Sequence, residues 1–367
     1  MMRIAKVETI GIKVPYTFGG RSNISYDGRA WTTIPTMLVR VETTGGLVGW
    51  GEAFCYGCFD AVKVAIQTMV APIILGRDAS DPAGISRDLH RKLHLFGRHG
   101  ITIFALSGLD IALWDLAGKA ANLPLHRLLG GARRDKVPGY ASLLKYNDPE
   151  LVAARVRLAL EQGYRYIKLH ETGVAEVSAA RDVAGADVPL TVDVNCAWSP
   201  HEARLNAMKL RAFDLYWLEE PIFPPEDFAS LARLRADTGV PMAAGENLCS
   251  PTQFRDMFAA GAVDFAQPSV IKLGGVTEFV KVQALAETAG IEVMPHSPYF
   301  GPGFLATLQL MVARPEPSGL CELYHLDLEA NLYGDLFTPV DGAFIVPDGP
   351  GLGRDPDPDV IRTYRSE

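Results

Sequence analysis

The chain has 367 residues, 48% of them hydrophobic, and carries 35 basic against 43 acidic residues for a net charge of −8. That is enough for one large domain or two of ordinary size with a full core. The acidic balance and the lack of a basic run argue against nucleic acid and membrane surfaces as partners, and no apolar run is expected to approach the ~20 residues of a membrane span.

The first residues, MMRIAKVETIGIKV, lack the apolar core of a secretory signal. Five scattered cysteines, an odd number, fit reduced thiols. Both features point to a cytoplasmic protein. Residues 1–53 alternate and turn often, and Gly45-Gly46 between apolar runs predicts an antiparallel hairpin. Cys55 and Cys58 form a lone CxxC, which cannot complete a four-ligand zinc site and reads as two thiols in a loop. In residues 60–125, FALSGLDIALWDLAGKAANLP has apolar residues at helical spacing and stops before Pro124. Strands first and helices after predict an α+β domain over residues 1–125.

Residues 126–324 have a different texture. Apolar strand-like runs recur at VPGYAS (137–142), YIKLH (166–170), LTVDVN (190–195), LYWLEEP (215–221), PMAAGE (241–246), VDFAQPS (263–269), EVMPHS (292–297) and GLCELY (319–324). Helical segments such as PELVAARVRLALEQG separate most of them. Eight strand–helix periods predict an α/β fold, a parallel (β/α) barrel of the TIM type. Residues 325–367 look extended or polar and are expected to pack back on the first domain.

In such barrels the reactive residues stand at the C-terminal ends of the strands. Three strand-end acids, Asp193, Glu219 and Glu246, follow one another at steps of 26 and 27 residues. A carboxylate at the end of an apolar strand is costly unless positive charge meets it. Three with the period of a βα unit predict oxygen ligands around one divalent cation. Such a set prefers hard Mg²⁺, with Mn²⁺ as a substitute. Zinc is disfavoured because no Cys or His clusters with the triad.

The other strand ends are also polar. Lys168 and His170 are two apart and share a face of the second strand. Asn195 stands two beyond Asp193. Ser269 ends the sixth strand with Lys272 in the turn after it, His296 ends the seventh and Glu322 the eighth. Taken singly, each has an ordinary explanation: a helix cap, an ion pair, a satisfied histidine or a solvated lysine. Together they fall on one rim.

IKLH, VDVN, WLEEP, GEN, KLGGVTE and PHS occur in this order, after SGLDIALWDLAGKAANLPLHRLLGG leads into the barrel. By these motifs the chain resembles the enolase superfamily over nearly its whole length. Within it, the resemblance is to the mandelate racemase-like group (mandelate racemase/muconate lactonizing enzyme family). The resemblance implies a modified, enolase-like barrel with an N-terminal α+β capping domain completed by the C-terminal segment. It implies Mg²⁺-dependent abstraction of the proton α to a carboxylate, giving a metal-stabilised enediolate with Lys or His as base. The physics agrees: removing that proton adds a second negative charge, which a divalent ion and Lys168 would stabilise.

His170 and His296, on strands at opposite sides of the mouth, would then face each other across the substrate. The resemblance assigns Glu322 to hydrogen-bond the substrate's carboxylate as a polar proton donor. Loops at about 16–30 and 53–60 would close over the mouth. Arg21, Tyr26 and Arg29 would bind the far end of a small-molecule carboxylate substrate. A homo-oligomer is expected.

Two positions depart from the family's pattern. Its Lys-x-Lys is Lys168-x-His170 here, and a histidine that titrates near neutrality still serves as a base. Its sixth-strand Asp is Ser269, which can hold the His296 ring but cannot stabilise an imidazolium as a carboxylate does. That suits His296 to the role of acid. Lys272 matches a lysine of the family's turn and is read as supporting. The expected activity is that of an acid-sugar (aldonate or aldarate) dehydratase. The alternatives are a racemase or epimerase of a 2-hydroxy or amino acid, and a catalytically impaired sugar-acid-binding relative.

Overall fold

A computed structural model describes residues 2–18, 23–24, 30–131, 134–314 and 319–366. Eight short strands build the barrel: Lys136–Ser142, Ile167–Leu169, Leu190–Asp193, Trp217–Glu219, Met242–Ala244, Phe265–Ala266, Glu292–Val293 and Cys321–Tyr324. The first six pair in parallel with their successors, and the eighth pairs in parallel with the first. Most are buried on both faces, which is why they read as continuous apolar runs. No ladder joins the seventh strand to the eighth among the described residues. Ser297 bridges this seam, because its hydroxyl donates to the Glu322 carbonyl (3.0 Å) and accepts from the Glu322 N–H (3.1 Å).

Helices link the consecutive strands: Pro149–Glu161, Val174–Ala184, Pro200–Leu210, Phe228–Thr238, Pro251–Ala259, Val276–Ala289 and Pro302–Val312. Their starts are written locally. Ser199 and Glu202 form a capping box before Pro200, and Asp227 accepts from the Ser230 N–H. After the eighth strand the chain divides its contacts. Asp327–Leu328 and Arg365–Ser366 pair with the N-terminal strand Ile4–Thr17, whereas Ala343–Ile345 pairs antiparallel with the first barrel strand.

The N-terminal α+β domain carries an antiparallel sheet of Ile4–Thr17, Thr33–Thr43 and Val48–Ala53. Gly46, at φ 81°, makes the predicted hairpin turn. The sheet lies directly on the helix Ile101–Ala121, where a Cβ on Gly51 would stand 1.9 Å from the Gly108 carbonyl oxygen. This helix corrects one expectation. It has 21 residues and is apolar enough to cross a membrane, but 83% of its most apolar window is buried inside the protein. Its helical spacing was legible, but its membrane-like apolar length was not, because Asp110, Asp115 and Lys119 interrupt the run. Those acids tie the helix to its neighbours. Asp110 accepts from the Thr277 N–H (2.9 Å) and hydroxyl (2.6 Å), and Asp115 from the N–H groups of Trp50 (2.9 Å) and Leu352 (2.8 Å).

Glu52 joins sheet and barrel by accepting from the Gly303 N–H (2.8 Å) at the start of Pro302–Val312. Burial pushes its carboxyl from 4.5 up to about 8, outweighing the Gly303 hydrogen bond. Between those values the folded protein holds a proton that the unfolded chain has lost, so stability falls as pH rises through that window. Glu52→Gln keeps the acceptor and removes the titration. The variant is expected to be more stable than the native chain at pH 8, by up to about 4 kcal/mol, with the difference vanishing toward pH 4.5. Chemical denaturation at both pH values checks this, and a pH-independent difference would contradict it.

Candidate active site

An apolar floor fills the barrel below its mouth, made of Tyr140, Trp217, Ala243, Met294 and Leu320 with Tyr166 packed against them. Side chains two residues apart on a strand share a face. One step above this floor therefore stand Ser142, Lys168, Glu219, His296 and Glu322. The polar mouth follows from the register of the apolar floor.

Lys168 sits fully buried at the centre. Its ammonium lies 2.6 Å from Glu219, 3.0 Å from Asp193 and 3.0 Å from Glu322. Burial opposes its charge, but the three carboxylates outweigh burial and hold its pKa well above the ordinary lysine range. Asp193, Glu219 and Glu246 present oxygens that all lie within 4.8 Å of one another. Burial and the Asp193 charge push the Glu219 carboxyl up. Asp193 and Glu246 are held low against burial, by Lys168 and His170 for the first and by His296 and Lys272 for the second.

This donor set fits a hard divalent cation. It is all carboxylate oxygen, with Asp193 and Glu219 fully buried, and the ammonium groups of Lys168 and Lys272 are fewer than the four acids, Glu322 included, that meet there. Two histidines do border the triad, although neither joins the group of mutually close ligand atoms.

The ligands are themselves held. Trp217 Nε1–H donates to Glu219 (2.9 Å), and the Asn195 N–H and side-chain amide donate to Asp193 (2.8 and 3.1 Å). Lys272 Nζ lies 3.3 Å from both Glu246 and Asn247 Oδ1, with its charge over the Phe54 ring. Glu220 points the other way. It accepts from the Asn247 amide (2.7 Å), and burial, with Glu246 and Asp193 nearby, pushes it up to about 8.

The two histidines are held differently. His170 Nδ1 lies 2.6 Å from the Leu143 carbonyl, which can only accept. The proton is therefore on Nδ1, and Nε2 faces the mouth 3.4 Å from Asp193. Tyr299 gives its one hydroxyl proton to the His296 carbonyl (2.5 Å). The phenol oxygen then accepts from His296 Nδ1 (3.0 Å) and from the Ser269 hydroxyl. His296 Nε2 lies 2.9 Å from Glu246. Both ring nitrogens of His296 thus meet oxygen acceptors.

This corrects the expectation for Ser269. Its hydroxyl reaches the His296 ring only through Tyr299, because the phenol occupies the space beside Nδ1. Glu322 accepts from Ser142 (2.7 Å) and Lys168 through Oε1, while its buried Oε2 has no partner. Arg21, Tyr26 and Arg29 lie outside the described residues. The loop at 53–60 does lie over the mouth: Tyr56 packs against Trp31 (5.7 Å), which packs against Tyr324 (5.9 Å), and Tyr324 stands 6.3 Å from the His170 ring. Cys55 and Cys58 are free thiols there, and burial raises both, Cys58 to about 11.

Residues 24–130 match the model of the mandelate racemase / muconate lactonizing enzyme N-terminal domain, and residues 151–360 match the enolase C-terminal domain-like model. The chain belongs to the mandelate racemase / muconate lactonizing enzyme family. It is 31% identical over 355 residues to arabinonate dehydratase of Saccharolobus solfataricus, covering 94% of each chain. It is 33% identical to 3,6-anhydro-alpha-L-galactonate cycloisomerase of Streptomyces coelicolor, covering 86% of this chain and 88% of that one. The solved structure of a racemase from Streptomyces coelicolor with bound magnesium superposes with a TM-score of 0.85 at 30% identity, over 99% of this chain and all of that one.

Within this family member, three residues of the mouth escaped the sequence reading. Ser142 ends the first strand and could have been found by reading that end with the others. Trp217 was hidden as an apolar residue in an apolar run. Tyr299 lies in a loop beyond its strand, where no period points to it. Its role is testable. Tyr299→Phe removes the acceptor beside His296 Nδ1 and is expected to lower kcat about 10–100-fold with KM little changed. Ser269→Ala should cost less. Steady-state kinetics compare them, and an unaffected Tyr299→Phe enzyme would contradict the assignment.

Proposed function

We propose that the chain is a Mg²⁺-dependent acid-sugar dehydratase converting an aldonate or aldarate to a 2-keto acid. The unequal pair of histidines carries this reading. His170 is anchored through Nδ1 on the Leu143 carbonyl and turns Nε2 to the mouth without a close hydrogen bond, whereas His296 is bound at Nε2 by Glu246 at 2.9 Å. Asp193, Glu219 and Glu246 would hold the divalent ion, and Mn²⁺ would suit the same oxygens. When bound, the ion supplies positive charge beside the substrate's carboxylate.

The chain's own residues supply the rest. His170 Nε2 takes the proton from the carbon α to the carboxylate. Lys168 offsets the second negative charge that builds on the carboxylate oxygens. Glu322 Oε2, buried without a partner, offers its hydrogen-bonding capacity to that carboxylate. His296 Nε2 gives a proton to the departing hydroxyl on the next carbon, which leaves as water. The resulting enol becomes the 2-keto acid. Trp31, Tyr56 and Tyr324 exclude water on the His170 side.

Incubation with an aldonate and aldarate library, with 2-keto acid as the readout, tests the proposal. No product from any member would sink it. Racemisation is the second reading, favoured by the solved relative named as a racemase. It requires both histidines to serve as bases, and it would give deuterium at Cα with stereochemical scrambling and no loss of water.

A further inference from the structure

Away from the barrel mouth, a cleft of about 550 Å³ opens between the helix Pro82–Lys92, the turn after it and the barrel helix Val276–Ala289. Arg87, His90, Arg91, His94, Arg98 and Lys281 line it, with Glu278 as its one carboxylate. Glu278 is already engaged by Lys281 at 2.5 Å. Among the described residues, Arg87, Arg91 and Arg98 have no ion-pair or hydrogen-bond partner for their guanidinium groups. In a chain of net charge −8 this is a local excess of unbalanced positive charge.

His90 borders the same cleft, but its ring nitrogens do not open onto it. Both its ring nitrogens are shielded from solvent and have no hydrogen-bond partner. A buried imidazole without a partner is costly, and buried polar groups are paired in the great majority of cases. The ring packs close against Gly274, where a Cβ would crowd His90 Nε2 at 3.2 Å. The walls of the cleft thus lack a counter-charge for their arginines.

We propose that this cleft binds a multivalent oxyanion, a phosphate or phosphate ester, on Arg87, Arg91 and Arg98. Guanidinium groups recognise phosphate oxygens through paired N–H donors. The volume suits a phosphorylated small molecule. The site is separate from the acid-sugar mouth, none of whose residues lines it.

The test is thermal unfolding of the full chain in rising inorganic phosphate, with glycerol 3-phosphate in a parallel arm and chloride holding the ionic strength constant. The expected result is a saturable rise in Tm with phosphate. A larger rise with the ester would identify an esterified ligand, and a larger rise with inorganic phosphate a free one. Arg87 and Arg91 are exposed, so the double variant Arg87→Ala, Arg91→Ala is expected to fold and to keep its basal activity. Its apparent Kd for phosphate should weaken tenfold or more. No saturable rise beyond chloride, or an equal rise in the double variant, would overturn the proposal.

Discussion

Asp193→Asn is expected to abolish turnover, by about 10³-fold or more, while leaving the metal-free fold intact. The argument rests on charge. Asp193 offers an oxygen within 4.8 Å of those of Glu219 and Glu246, so the substitution removes a third of the negative charge available to a bound dication. The ion's stabilisation of developing charge is worth several kcal/mol, and each 1.36 kcal/mol is a factor of ten. The fold should persist because Lys168 keeps Glu219 at 2.6 Å and Glu322 at 3.0 Å. Titration calorimetry with Mg²⁺ should show a large loss of affinity, and thermal unfolding without metal little change. Metal affinity retained within a few-fold would contradict the assignment of the triad.

His170→Ala and His296→Ala are expected to fail at different steps. Loss of a positioned base or acid costs about 10²–10⁴-fold. Without His170 the α-proton should stay in place, so both exchange and product formation stop. Without His296 the α-proton should still exchange with solvent, but water should not depart. The difference follows from the two hydrogen-bond patterns: Nδ1 of His170 on the Leu143 carbonyl, and His296 between Tyr299 and Glu246. Equal loss of exchange in both variants would favour racemisation, and exchange surviving both would refute a histidine base altogether.

The barrel was legible because its strands, buried on both faces, leave continuous apolar runs, and because acids interrupt those runs only at their ends. Lys168, Asp193, Glu219, Glu246 and Glu322 were read that way; Asp193, Glu219 and Glu322 surround the Lys168 ammonium, and Glu246 brings an oxygen within 4.8 Å of those of Asp193 and Glu219. What escaped was tertiary. Tyr299 takes the place beside His296 that a sixth-strand carboxylate would fill, and only the folded loop shows it. The helix Ile101–Ala121 was legible from its spacing, but its membrane-like apolar length was masked by two aspartates whose partners, Thr277, Trp50 and Leu352, are remote in sequence. The C-terminal segment looked like a single extended tail, but its strands divide between the N-terminal sheet and the barrel.

The central claim is that His170 removes the proton α to the carboxylate of an acid sugar and that water then leaves. It is tested most directly by NMR in D₂O, with the Mg²⁺-loaded chain acting on aldonates and aldarates beside His170→Ala. The account predicts loss of the Cα proton signal together with 2-keto acid formation in the wild type, and neither in the variant. An unchanged Cα proton in the wild type across the whole library, or undiminished exchange in His170→Ala, would contradict it.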